Sequence, residues 1–484
     1  MAKTIRMYID GEWVEASGKQ TYSDLNPYSG AVYAEVARGG RQDARRAIEA
    51  AAAAFPAWAA TPPSQRRLLF LKAADILERR QQEFADALMD ETGSAFGFAM
   101  FQLSFTPSLL REAAAQAYAV TGEILPADMA DAFFMALRQP AGVVGAFAPW
   151  NAPLILSLRA IALPIAYGDT AVLKPSEESP VVGGTMLAEL FEEAGFPKGV
   201  LNVITHARED AAAIGDELIE HPAVTRISFT GSTEVGRIIA EKAGRNLKRC
   251  VLELGGKDPL IVLRDADVDY AVGAAAFGAF MHQGQICMST ERIIVERPVA
   301  RQFTEKLVRK AAAYKVGDPR DQSNMLGPLI NQAAVDRVHA HVQEAVAQGA
   351  KVLTGGRHEK LCYEPTVMTD VQPGMRLFAE QTFGPVAPVM VVDDAEEALR
   401  LANNSRYGLS SGIITPDFTK ALAIAERLQT GMVHINDQTV NDEPQVPFGG
   451  VKGSGWGRMG GKAALEEFTE LRWISVQRRP RPFP

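Results

Sequence analysis

A chain of 484 residues is too long for one hydrophobic core, so two or three domains are expected. With 47% apolar and 22% charged residues it has the composition of an ordinary soluble globular protein; its net charge of -8 and pI near 5.6 exclude an extended nucleic-acid surface, which needs a basic face. Three cysteines without metal-like spacing and seven scattered histidines supply neither a disulfide framework nor a metal site, and a reducing cytoplasm fits. The opening MAKTIRMYIDGEW lacks a signal-peptide core, and no run approaches the roughly 18 to 20 apolar residues of a membrane span. A soluble, unprocessed protein is expected, with the basic tail QRRPRPFP as a solvated terminus.

Met7 to Val14 reads as a hairpin turning at Asp10-Gly11. Two long patterns of helical period follow, Arg41 to Trp58 with its proline at the end, and Ser64 to Thr92 closed by Gly93. From Gly142 the texture changes to short apolar runs (GVVGAFAPW, TAVLKPS, GVLNVIT, TRISFTG, CVLELGG) separated by helices such as Val181 to Ala194 and Glu234 to Ala243. Strands alternating with helices imply a parallel sheet built from right-handed crossovers. Ligands collect at the carboxyl ends of such strands, where Asn151, Lys174, Ser232 and Glu253 all fall. A helix-like run, Ala271 to Phe280, leads to FMHQGQICMSTER, and a second α/β pattern follows through RIIVERP, PVAPVMVVD, SSGIIT and MVHIND. The last strand, Leu471 to Gln477, has no obvious partner in its own unit, which makes it a candidate for pairing with a neighbouring subunit.

Several residues at these strand ends carry chemistry. Cys287 lies in a Gly/Gln/Ser/Thr turn, where a sulfur can reach the floor of a cleft; Cys250 and Cys362 read as small core or surface thiols. FTGSTEVG (Phe229 to Gly236) follows a strand and opens a helix, so its backbone N–H groups suit a phosphate, or it is a plain strand-to-helix turn. Lys174 and Glu177, three apart at a strand end, suit the hydroxyls of a ribose, and a carboxylate there repels a 2′-phosphate; the alternative is a helix cap by Ser176. Asn151, on a loop constrained by Pro and Trp, suits an oxyanion or is a turn asparagine. Glu253 is either a base with a raised pKa or the partner of Lys257 in a salt bridge.

The ordered array APWN, KPSE, FTGST, LELGGK, GQIC, EQTFGPV and PFGGVKGSG resembles the NAD(P)-dependent aldehyde dehydrogenase superfamily, from Met7 to the last strand. Its most specific part is LELGGK followed by GQIC, with 34 positions from Glu253 to Cys287. The resemblance implies an α/β fold with a Rossmann-like NAD-binding domain (1–118 and 141–252), an α/β catalytic domain (253–452) and a small β oligomerisation element (119–140 and 466–484). It implies Cys287 as nucleophile, Asn151 as oxyanion donor and Glu253 as the base that hydrolyses a thioester. Lys174 and Glu177 would hold the adenosine ribose of NAD, or NADP as second choice; Ser232 would meet the pyrophosphate, and Trp150 and Phe383 would line the nicotinamide crevice.

Two positions depart from the superfamily pattern. Gln381 stands where a ribose-holding glutamate is usual, with Glu380 one residue further back, and an amide bonds the hydroxyls more weakly than a carboxylate. His206 replaces a glycine; it packs near the adenine or is a loop histidine. Ala152 and Arg159 stand where aliphatic-aldehyde relatives carry large aromatics, so a substrate pocket is expected from Ala152, Arg159, Ile286 and Met288, with Phe101 and Phe105 as pocket walls or core. The alternative for Arg159 is a structural salt bridge. With HQGQICMSTER, this resembles the branch acting on aromatic aldehydes such as vanillin, benzaldehyde and salicylaldehyde. The expected function is aldehyde oxidation to the acid by a homo-dimer or homo-tetramer, without metal, nucleic acid or membrane. Competing readings are aliphatic or terpenoid aldehydes, transfer to coenzyme A, which Glu253 argues against, and an inactive binding protein of the same fold.

Overall fold

In the computed structural model, which describes residues 3–483, two large sheets dominate. Met1, Ala2 and Pro484, the ends of the expected segments, lie outside the described residues. The first sheet has eight strands, in the order Gly455–Trp456, Arg249–Glu253, Val224–Thr230, Val143–Phe147, Thr170–Lys174, Leu201–Val203, Met7–Ile9 and Glu12–Val14. The five from Arg249–Glu253 to Leu201–Val203 run parallel. The hairpin Met7–Ile9/Glu12–Val14 adds antiparallel at one end, turning at Asp10-Gly11 as expected. Chain order reverses on either side of Val143–Phe147, whose neighbours are Thr170–Lys174 and Val224–Thr230. That reversal opens a crevice at the strands' carboxyl ends, the usual ligand position in such a sheet.

The second sheet has seven strands, in the order Lys351–Thr354, Thr366–Thr369, Val386–Val392, Thr290–Glu296, Asp258–Val262, Gly412–Ile414 and His434–Ile435. Only Lys351–Thr354 runs antiparallel to its neighbour. Its central strands, Asp258–Val262 and Thr290–Glu296, are buried on both faces, as their near-continuous apolar runs require.

Several helix boundaries differ from the sequence reading. The first helix runs Arg41–Ala59 and carries Pro56 inside its last turn. Ser64 to Thr92 is two helices, Pro63–Arg79 and Gln81–Thr92, broken at Arg80; Gly93 ends the second in the left-handed conformation. Val181 to Ala194 begins with a π-helical turn, Val181–Thr185, before the α-helix Met186–Ala194. Two helices that sequence periodicity did not resolve are Phe96–Gln116 and Gln332–Ala347. The first is apolar nearly all round, so it lacks the amphipathic period by which helices are recognised.

The terminal strand is also corrected. Thr469–Gln477 pairs antiparallel with Ala132–Pro140 over nine register positions, and Gly122–Leu125 pairs with the other side of that strand. The partner was hidden because it lies some 330 residues earlier in the chain. In this three-stranded sheet Thr469–Gln477 remains an edge, with Leu471, Trp473 and Val476 exposed.

Candidate active site

The reversal point of the first sheet is occupied by a cleft of about 420 Å³. One wall is the loop after Val143–Phe147, which contributes Pro149, Trp150 and Asn151. A second is the turn Thr230–Thr233, where the helix Thr233–Arg245 begins and Ser232 Oγ accepts the Val235 N–H at 3.3 Å. This N-terminus presents backbone N–H groups and a positive dipole end to the cleft, as binding of a pyrophosphate requires. The floor contains Glu253 and Cys287, and the far rim contains Gln381 and Phe383.

Glu253 is the last residue of Arg249–Glu253 and is buried, and neither of its carboxylate oxygens has a hydrogen-bond partner among the described residues. Burial raises its pKa to about 7, against smaller opposing effects of the Cys287 thiol and the Arg159 charge. The thiol is close enough to perturb the carboxyl group without forming a hydrogen bond of good geometry. Lys257 is not the partner of Glu253. Its ammonium pairs with Glu291 at 2.6 Å, because beyond the Gly255-Gly256 turn Lys257 directly precedes Asp258–Val262, the neighbour of the strand Thr290–Glu296 that carries Glu291.

Cys287 follows a tight turn in which His282 (φ 48°) and Gln283 (φ 56°) are both left-handed. Such backbone persists only where its surroundings hold it. Gln283 Nε2 donates to the carbonyls of Gly93 (3.1 Å) and Pro328 (2.9 Å), and Gln285 Oε1 accepts the Ile330 N–H at 3.1 Å. The His282 ring stacks on Phe98 at 4.2 Å, and burial lowers its pKa to about 3, so it is neutral. The Cys287 thiol is only partly exposed. Burial first, and then the negative charge of Glu253, push its pKa well above the usual thiol range. A thiolate at neutral pH therefore needs both a base and a nearby positive charge.

The Gly255-Gly256 turn is required by close approach. A Cβ on Gly255 would collide with the Gln381 amide, and one on Gly256 with the Cys287 carbonyl and the Asp258 carboxylate. The rim segment is held by Glu291, which the sequence reading did not single out. Its carboxylate accepts the Thr382 N–H (2.7 Å) and the Phe383 N–H (2.9 Å) in addition to Lys257. Phe383 is thereby kept in a left-handed conformation (φ 54°), with its ring edge-on to Trp150 at 5.7 Å. Nothing local marks Glu291, since its partners lie 34 and about 91 positions away. Glu380 lines the same cleft and is held by Arg376 (3.3 Å), with His341 at 3.8 Å.

Lys174 and Glu177 lie outside the cleft lining, at the end of the adjoining strand Thr170–Lys174. Burial lowers the Lys174 pKa to about 8, opposed by Glu177, and Glu177 faces Arg208 at 3.6 Å. Ser176 does not cap a helix; its hydroxyl accepts the Glu178 N–H within the turn. His206 is a buried loop histidine, its ring nitrogens 2.8 Å from the Ala207 carbonyl and 3.1 Å from that of Pro175. Burial, then the charge of Lys174, lowers its pKa to about 4.

Ala152, Ile286 and Met288 pack with Phe98, Leu156, Phe448 and Phe105 in one apolar cluster that touches Cys287. Arg159 is 3% exposed; it lies over the Phe448 ring at 4.4 Å and forms an ion pair with Asp442 at 2.5 Å. Phe101 stacks between Phe98 and Phe105 and is partly exposed.

The whole chain that builds this crevice is similar to known proteins. The aldehyde dehydrogenase family model covers residues 13–474. The chain belongs to the aldehyde dehydrogenase family. It is 48% identical over 480 residues to a vanillin dehydrogenase of Pseudomonas fluorescens, covering 99% of each chain. With a benzaldehyde dehydrogenase [NAD(+)] of Pseudomonas putida it shares 44% identity over 477 residues, 98% of this chain and 97% of the relative. The crystal structure of a salicylaldehyde dehydrogenase from Pseudomonas putida G7, complexed with salicylaldehyde, superposes with a TM-score of 0.97 at 40% identity, covering 100% of both chains. The activity of the dehydrogenase is thus NAD(P)-dependent oxidation of an aldehyde. The cleft fits a dinucleotide: a helix N-terminus faces it, and Lys174 and Glu177 lie at the adjacent strand end. No helix among the described residues is long and apolar enough to cross a membrane.

Proposed function

We propose that this dehydrogenase oxidises an aromatic aldehyde to its carboxylic acid, with Cys287 as nucleophile, Asn151 as oxyanion donor and Glu253 as base. The observation carrying this is that these three groups line one cleft beside the apolar cluster of Ala152, Ile286, Met288 and Phe448. An aldehyde carbon does not release hydride directly. Cys287 passes its proton to Glu253, which returns it to solvent; the sulfur's bond to the carbonyl carbon then places negative charge on the carbonyl oxygen, and the Asn151 amide and the Cys287 backbone N–H stabilise that charge. Bound oxidised nicotinamide supplies a positively charged ring that accepts the hydride. The adduct then collapses to a thioester, with the carbon–sulfur bond kept and the C–H bond broken. Glu253, with its pKa near 7, takes a proton from water, whose oxygen displaces the sulfur and yields the acid. Trp150 and Phe383 border the crevice in which that ring would lie, and the Gln381 amide would hold its ribose.

NAD is the preferred cofactor in this reading, because the Glu177 carboxylate at the strand end repels a 2′-phosphate. Arg208 offsets part of that charge, which leaves NADP as second choice. The pocket chemistry and the names of the relatives both favour aromatic over aliphatic or terpenoid substrates. A panel of benzaldehyde-type, terpenoid and aliphatic aldehydes, followed at the NADH absorbance band with each cofactor, tests this; a uniform failure of aromatic aldehydes beside turnover of aliphatic ones refutes it. Retention of turnover by Cys287→Ser refutes the role of the sulfur.

The two large sheets are read as the NAD-binding and catalytic domains, and the three-stranded sheet as the oligomerisation element. Its edge strand presents Leu471 (58% exposed) and Trp473 (65%) to a second copy of the chain, and the opposite edge strand, Gly122–Leu125, carries Ile124 (73%). Light scattering of wild type and Trp473→Glu, with a loss of mass in the variant, tests that assembly. Three free cysteines suit a reducing cytoplasm.

A further inference from the structure

The Arg159–Asp442 pair has features that a purely structural salt bridge lacks. Arg159 comes from the helix Pro153–Tyr167, two turns beyond Asn151, and Asp442 from the loop preceding Phe448. They meet across the apolar cluster next to Cys287, with the guanidinium over Phe448 at 4.4 Å and 6.0 Å from the Phe105 ring. A single hydrogen bond, Arg159 Nη2 to Asp442 Oδ2, joins them. Arg159 Nε, Arg159 Nη1 and Asp442 Oδ1 are all buried without a partner among the described residues. Burying an ion pair in apolar surroundings is costly unless its remaining donors and acceptors are satisfied. Here two donors and one acceptor stay open, beside the rings of Phe105 and Phe448 in the apolar cluster that touches Cys287.

We propose that Arg159 and Asp442 together read a hydroxyl group on the ring of the aldehyde, the hydroxyl donating to Asp442 Oδ1 and accepting from Arg159. This rests on the aromatic reading above and narrows it to phenolic aldehydes. A hydroxyl group is the small substituent that carries both a donor and acceptor lone pairs. A methoxy oxygen only accepts, and an unsubstituted ring leaves all three atoms unpaired. Sites built to hydrogen-bond a substrate hydroxyl discriminate strongly against analogues lacking it, because the protein groups are then left desolvated.

The test measures kcat/KM with NAD for benzaldehyde, the three monohydroxybenzaldehydes and the three methoxybenzaldehydes. At least one hydroxy isomer is expected to exceed both benzaldehyde and its methoxy counterpart by about tenfold or more. In Arg159→Met/Asp442→Leu, which refills the site with apolar volume, that advantage is expected to fall to within about threefold, the scale of a pocket without hydrogen-bond readout. Titration calorimetry with phenol supplies a readout independent of turnover, with binding weakened in the same variant. If the double variant does not fold, Asp442→Asn makes the same comparison: with its oxygen retained by Arg159, its amide nitrogen replaces the open acceptor, and the advantage again falls. Equal rates for hydroxy and methoxy isomers, or an undiminished advantage in the variants, overturn the proposal. Turnover confined to aliphatic aldehydes instead overturns the aromatic reading beneath it.

Discussion

Glu253→Gln separates the energetic consequence of a buried carboxyl group from its chemical one. In the folded protein the Glu253 pKa is raised from 4.5 to about 7 by burial. The folded state therefore prefers the protonated form: the group's contribution to stability is fully present below pH 4.5 and is lost as pH rises through 7. At 1.36 kcal/mol per pKa unit, the ionised group costs roughly 3 kcal/mol of stability at pH 8. Glutamine cannot ionise, so the variant should match wild type in denaturant melts near pH 4 and exceed it by up to about 3 kcal/mol near pH 8. Turnover should move the opposite way. Roughly one-tenth of Glu253 is ionised at pH 6 and nine-tenths at pH 8, so wild-type thioester hydrolysis should climb about tenfold over that range. The Cys287 thiol, with its pKa pushed well above the usual range, titrates outside this window. In the variant, hydrolysis should slow by about 10² to 10⁴-fold and lose its pH dependence. Stopped-flow recording of NADH should then show a burst approaching one equivalent per active site, followed by a slow steady state. A surviving limb centred near pH 7 in the variant would refute the assignment of Glu253 as the base.

Other perturbations reach separate parts of the site. Asn151→Ala should lower kcat by about 10² to 10³-fold with a small change in KM, since the amide acts on charge that develops only at the transition state; an equal effect on substrate affinity would contradict that role. Glu291→Ala leaves the Lys257 ammonium buried and frees the Thr382 and Phe383 N–H groups, so melts should show a loss of about 3 to 5 kcal/mol, accompanied by a higher KM for NAD. Arg208→Ala should weaken 2′,5′-ADP binding relative to 5′-AMP by calorimetry, and Glu177→Gln should strengthen it; unchanged ratios would remove both residues from cofactor choice.

Much of the site could be read locally because strand ends and Gly-rich turns are local features. Asn151, Lys174, Ser232 and Glu253 each follow a run of strand-forming residues, and in a parallel sheet that alone places them on one edge. The helix Phe96–Gln116 was obscure for the opposite reason: apolar on nearly every face, it shows no period until its neighbours are known. Likewise, the pairing of Thr469–Gln477 with Ala132–Pro140 depends on a register that neither strand encodes alone.

The order of motifs along the chain determined the family and the alternation of strands and helices that makes a parallel sheet, because covalent spacing constrains strands and turns directly. Tertiary structure alone decided which charges meet: Lys257 pairs with Glu291 rather than Glu253, Glu380 turns to Arg376, and Arg159 meets Asp442 from 283 positions away. Ion pairs depend on three-dimensional distance and burial, and neither quantity is a function of separation along the sequence.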